Sequence, residues 1–102
     1  MPRIRTVKPD FWEDESIGLI SRDARLLFIA TWNLADDEGL LRWNGQYLSS
    51  AVFMYDEDLD PAAVERLMSE LETANLVFSY LSGSANKTEK KLGYIVNFRK
   101  HQ

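Results

Sequence analysis

Residues 60–98 hold the pattern that most restricts the fold. Asp60-Pro61 opens a helix, with an acid at the N-cap and proline at the first helical position. Val64, Leu67, Met68 and Leu71 follow at spacings i, i+3, i+4 and i+7, which is one apolar helical face. Asn75 is suited to a left-handed cap. Then come two β-branched and aromatic runs, residues 76–81 and 92–98, with the polar, basic stretch 82–91 between them. Two such runs form a hairpin with a long tip. A helix feeding directly into a hairpin must bury its apolar face against that hairpin or against something upstream.

The upstream sequence supplies two more helices. Pro9-Asp10-Phe11-Trp12 reads as a helix start or tight turn; Phe11, Trp12 and Ile17 cap a core, and Gly18 ends the segment. Ser21 is an N-cap for a helix through Leu26, Leu27, Phe28, Ile29, Ala30, Trp32 and Leu34, apolar on most sides and therefore central. Asp36-Asp37-Glu38-Gly39 ends it. Leu40-Leu41-Arg42-Trp43 has room for a small strand only. Asn44 then caps a helix carrying Tyr47, Leu48, Val52 and Phe53, which stops at the acidic loop Tyr55-Asp56-Glu57-Asp58. Phe28, Trp32, Phe53, Tyr80 and Phe98 are expected in the core. So are Trp43 and Tyr55, although both border polar turns; exposed anchors for a partner are the less favoured alternative.

The order is helix, short strand, helix, helix, strand, basic loop, strand, behind a short N-terminal segment. This is the α+β order of a winged helix-turn-helix, with the third helix as recognition helix and the hairpin tip as wing. At 102 residues the chain suits a single such domain, residues 1–102.

Several motifs carry a resemblance. Pro2-Arg3-Ile4-Arg5-Thr6-Val7-Lys8-Pro9-Asp10-Phe11-Trp12 resembles the opening of phage and prophage replication-type proteins. So do Leu19-Ile20-Ser21-Arg22-Asp23-Ala24-Arg25-Leu26-Leu27-Phe28 and Trp32-Asn33-Leu34-Ala35-Asp36-Asp37-Glu38-Gly39. Asn97-Phe98-Arg99-Lys100-His101-Gln102 resembles the point where their N-terminal domain stops. The group is similar to replisome organisers and helicase-loading initiators. The resemblance implies an N-terminal winged-helix module that binds DNA or self-associates, ordinarily followed by a linker and a C-terminal region. Its motifs are mostly core and capping residues, so they speak for fold more than for function.

Charge is unevenly spread. Residues 1–9 carry +3, residues 10–75 carry −11 and residues 76–102 carry +4, for a net −4. That balance argues against a general nucleic-acid binder, for which a strongly basic domain is usual. A local basic footprint still fits, because screening makes nearby charge count more than total charge. Lys87, Lys90 and Lys91 in the wing and Arg3, Arg5 and Lys8 in the N-terminal arm are the candidates for gripping phosphates. On the third helix Arg66, Ser69 and Thr73 lie opposite the apolar stripe, where Arg can read guanine and the hydroxyls can touch phosphate. Glu65, Glu70 and Glu72 flank them, which is the wrong charge for a polyanion and suits a solvent face or a protein interface.

Other chemistry finds little support. Asp56, Asp58 and Asp60 have the alternation of a calcium loop, but Pro61 and Leu67 stand where it needs Gly and Glu. There is no Cys, and the one His, His101, has no second ligand or nucleophile to pair with. No glycine-rich phosphate loop and no apolar membrane-spanning run occurs. The expectation is a non-catalytic, cofactor-free cytoplasmic module whose partner is double-stranded DNA. A dimerising surface, or one for a host replication protein, is the alternative.

Overall fold

In the computed structural model, residues 4–82 and 90–98 are described. Pro9–Glu13 forms a 3-10 turn, and helix α1, Glu15–Gly18, follows at once, capped by Asp14, whose Oδ1 accepts from the Ser16 N–H at 2.9 Å. Helix α2 is Arg22–Leu34, strand β1 is Leu40–Arg42, helix α3 is Gly45–Val52 and helix α4 is Pro61–Thr73. Strands β2, Val77–Ser82, and β3, Lys90–Ile95, close the order.

The polar residues expected at helix starts are in place. Ser21 caps α2 by accepting from Ala24 N–H, Asn44 caps α3 by accepting from Tyr47 N–H, and Asp60 caps α4 by accepting from Ala63 N–H. Each satisfies one of the N–H groups that a first turn leaves without an intrahelical partner. At the turns, Gly39 has φ +86° and Asn75 has φ +60°, the left-handed conformations that glycine and asparagine tolerate best. Phe98 packs within 3.1 Å of where a Gly39 side chain would begin, so that turn is closed to larger residues on two counts.

The three strands form one antiparallel sheet in the order β1-β3-β2. Leu40 pairs with Tyr94 and Arg42 with Leu92, while Phe78 pairs with Tyr94 and Tyr80 with Leu92. The inner face of the sheet, with Leu41, Val77, Gly93 and Ile95, lies on the helices. Phe28, Trp32 and Leu27 of α2, Leu48 of α3 and Val64, Met68 and Leu71 of α4 fill the space beneath it. Phe11 meets Trp32 edge-on at 5.4 Å between ring centroids, which ties the N-terminal turn into the same core.

The α+β class is as expected, with helices first and the hairpin last. Some assignments differ. Tyr55 is exposed, and Tyr80 stands on the outer face of the sheet instead of in the core. Trp12 is exposed too, leaving Phe11 and Ile17 to do the capping expected of all three. Lys90 and Lys91 are not loop residues: β3 begins at Lys90, paired with Ser82, and it ends at Ile95, short of the expected Phe98, with Asn97 in a left-handed turn at φ +55°. Among the described residues, no helix is long and apolar enough to cross a membrane.

Candidate nucleic-acid interface

Helix α4 is positioned by two different kinds of contact. Its apolar stripe packs on α2 and α3, and its carboxylates reach sideways, Glu70 to the start of α2, Glu65 to the start of α3 and Glu72 to the sheet. Glu70 accepts from both the backbone N–H and the hydroxyl of Ser21, each at 2.8 Å. A helix start often closes a reciprocal capping box, with a Glu three residues after the N-cap serine accepting from the serine N–H. Here that position is Ala24, fully buried, and Glu70 supplies the acceptor from 49 residues away.

Glu72 accepts from the indole N–H of Trp43 at 2.6 Å and lies 3.9 Å from the Lys91 ammonium. The Trp43 ring in turn covers Gly93, where an added Cβ would come within 2.9 Å of it. One carboxylate therefore joins α4, the end of β1 and the stem of the hairpin. Glu65 lies over Gly45, the first residue of α3, with its Oε1 2.7 Å from where a Gly45 Cβ would stand. A carboxylate at that position is favoured by the free N–H groups of the helix start.

Arg66, Ser69 and Thr73 line one open groove together with Leu19, Ile20, Glu70 and Ala74, so one of the three acids stays in the groove with them. The groove has a volume of about 360 Å³. All three expected reading residues are exposed, and the Ser69 hydroxyl donates to the Glu65 carbonyl one turn back. Leu19, 83% exposed, stands beside them on the rim.

The basic residues divide. Lys8 is exposed. Arg5 is turned inward: its Nε donates to the Trp32 carbonyl at 3.0 Å, its guanidinium lies over the Phe98 ring, and Asp37 is 3.8 Å away. In this conformation Arg5 anchors the N-terminal segment to the core and does not extend as an arm. Lys90 is exposed at the first position of β3. Lys91 is exposed and shares its charge with Glu72. Arg3 and Lys87 lie outside the described residues. Sequence reasoning places Glu65, Glu70 and Glu72 beside the reading face but does not find their partners, since Ser21 and Trp43 are remote in the chain. The turn residues Asp56 and Asp58 are exposed in the loop before α4, while Asp60 is engaged in its cap.

No family model, curated protein or solved structure matches this chain.

Proposed function

We propose that this chain is a winged helix-turn-helix module that grips duplex DNA in phage-type replication initiation, without catalysis. The topology supports the fold: α3 and α4 form the helix pair, and β2 and β3 form the hairpin beside it. The replication setting rests on the resemblance of the opening, α2 and closing motifs.

One observation carries the binding reading. Each of the three carboxylates that set α4 against a polyanion is directed to a place in the fold: Glu70 to Ser21, Glu72 to Trp43 and Lys91, and Glu65 to the start of α3. Arg66, Ser69 and Thr73 face outward in a groove that they share with Glu70, Leu19, Ile20 and Ala74. Arg66 is the reader in this scheme. Ser69 and Thr73 touch the backbone, and Lys8 and Lys90 add grip from the flanks.

The test is anisotropy of labelled duplexes of unrelated sequence, between about 50 and 200 mM salt. Affinity is expected to fall with salt at a slope of about 0.9 for each phosphate neutralised. Arg66→Ala should relax discrimination at one base pair by about 1–3 kcal/mol. No duplex binding even at low salt overturns the reading. Leu19 on the groove rim favours a second reading in that event: an interaction module, dimerising or binding a host replication protein, whose partner buries Leu19 beside α4.

A further inference from the structure

The sheet has a second face that the groove beside α4 does not use. Side chains alternate along a strand, so the register places Phe78 and Tyr80 of β2, Tyr94 of β3, and the strand positions of Arg42 and Lys90 on the side away from the helices. All five are exposed, Phe78 at 65%, and half-buried Leu92 lies among them. Isolated exposed rings are ordinary, but three on adjacent strands make a patch. Phe78 and Tyr94 are direct cross-strand partners, and Tyr80 is the next outward residue along β2, about 6.7 Å further on. Lys90 sits at the hairpin end of this patch, whereas Arg42 stands on the edge strand β1 and turns its guanidinium towards helix α3. The Arg42 guanidinium is held over the Tyr47 ring at 4.9 Å, and among the described residues no carboxylate is within ion-pairing distance of it or of Lys90. No described strand residue is acidic.

We propose that the outer face of this sheet binds single-stranded nucleic acid. Bases stack on Tyr80 and on the Phe78–Tyr94 pair, and the backbone runs past Arg42 and Lys90. Rings give sequence-tolerant stacking because every base has a flat π-face, and neighbouring cations hold the phosphates. Duplex DNA cannot use these rings, since its bases are already stacked and paired. A second copy of the chain is a poorer occupant. It would bring the same cations and no strand carboxylate to meet them, so Arg42 and Lys90 would lose water without gaining a partner.

The proposal does not depend on the groove beside α4; Lys90 is shared with the duplex reading, so it is the ring variant that keeps the two apart. Labelled oligodeoxythymidylate and oligouridylate 15-mers and a blunt duplex are titrated against the parent and against a Phe78→Ala, Tyr94→Ala double variant. Both substitutions are on the solvent side, and circular dichroism and melting confirm that the variant is folded. The expected result is salt-dependent binding of one or both single strands by the parent. The ring variant should bind them at least 5-fold more weakly, with duplex affinity unchanged. In an Arg42→Ala, Lys90→Ala variant the single-strand salt slope should flatten by about 0.7 for each phosphate no longer neutralised. Failure of the parent to bind either 15-mer at low salt overturns the proposal. So does equal single-strand affinity in the folded ring variant. A parent dimer that the ring substitutions convert to monomer, with no single-strand binding, assigns the face to a second copy and overturns it as well.

Discussion

Replacing Glu70 by Ala removes a carboxylate that accepts two hydrogen bonds from Ser21, the cap of α2. A hydrogen bond to a charged group contributes roughly 1.5–3 kcal/mol when water cannot substitute for it. Ser21 is exposed, so water takes over part of the role, and the loss should be nearer that of an N-cap, about 1–2 kcal/mol. For a domain of this size that corresponds to a fall in Tm of roughly 5–15 °C. Glu70→Gln keeps a carbonyl acceptor and should lose less than half as much.

Ser21→Ala isolates the side-chain part. It removes the hydroxyl that caps Ala24 and also meets Glu70, while the Ser21 backbone N–H remains. A double-mutant cycle between the two positions should therefore give a coupling of about 0.5–1 kcal/mol, smaller than the full Glu70 effect. The assay is thermal and urea unfolding of all four proteins. A Glu70→Ala protein melting within about 1 °C of the parent would refute the claim that α4 completes the start of α2. The same variants bear on function: Glu70→Gln takes a negative charge from the rim of the Arg66 groove and should raise duplex affinity a few-fold at low salt, an effect that fades as salt rises.

Other substitutions probe the rest of the fold. Gly93→Ala forces a methyl group against the buried Trp43 ring and should cost about 1–3 kcal/mol, read by urea unfolding; a neutral result would mean the indole can move aside. Trp32→Ala should leave the chain unfolded or nearly so, since truncating a buried Trp costs roughly 3–5 kcal/mol, and a melting curve close to the parent's would contradict its place in the core. Asp60→Ala should cost about 1 kcal/mol by removing the cap, with calcium leaving parent and variant melting alike; calcium-dependent stabilisation of the parent alone would revive the metal reading of the acidic turn. Neutralising exposed Asp56, Glu57 and Asp58 to their amides should strengthen duplex binding at low salt without altering the melt, and unchanged affinity would remove that loop from the path of the DNA.

The local parts of this fold are legible in the sequence because they depend on short-range chemistry. Ser21, Asn44 and Asp60 announce their helices since a side-chain oxygen two or three residues from a free N–H is a local arrangement. The stripe from Val64 to Leu71 is legible because helical periodicity is local as well. Lys90 and Lys91 read as loop for the complementary reason. Lysine has no strong strand preference, and what holds these two in β3 is pairing with Leu81 and Ser82 across the hairpin. Tyr80 shows the same gap. An aromatic residue in a strand looks like core until the register decides which face it takes, and one residue of slip reverses the answer. The candidate site is hardest of all. Arg66, Ser69 and Thr73 can be grouped by angle on the helix, but the partners of Glu65, Glu70 and Glu72 come from tertiary packing that no local pattern encodes.

Those carboxylate partnerships also change how the net charge should be weighed. A −4 chain approached by a polyanion is repelled by its acids according to their distance, and beyond about 8–10 Å salt screens most of the effect. Asp14, Asp36 and Asp60 accept backbone N–H bonds, and Asp37 lies against Arg5. The exposed acids Asp56, Glu57 and Asp58 stand in the loop that leads into α4. The two ends of that helix therefore differ. Its N-terminal approach is acidic, whereas Arg66, Ser69 and Thr73 face outward further along. Recognition helices of the helix-turn-helix type commonly present their N-terminal residues to base edges. On this helix the acidic loop works against that orientation and favours a duplex lying across its middle and C-terminal half, on the side of the Leu19 rim. A partner protein that buries Leu19 would occupy this same groove, beside Glu70, so the two readings of α4 compete for one surface and differ in the charge they need there.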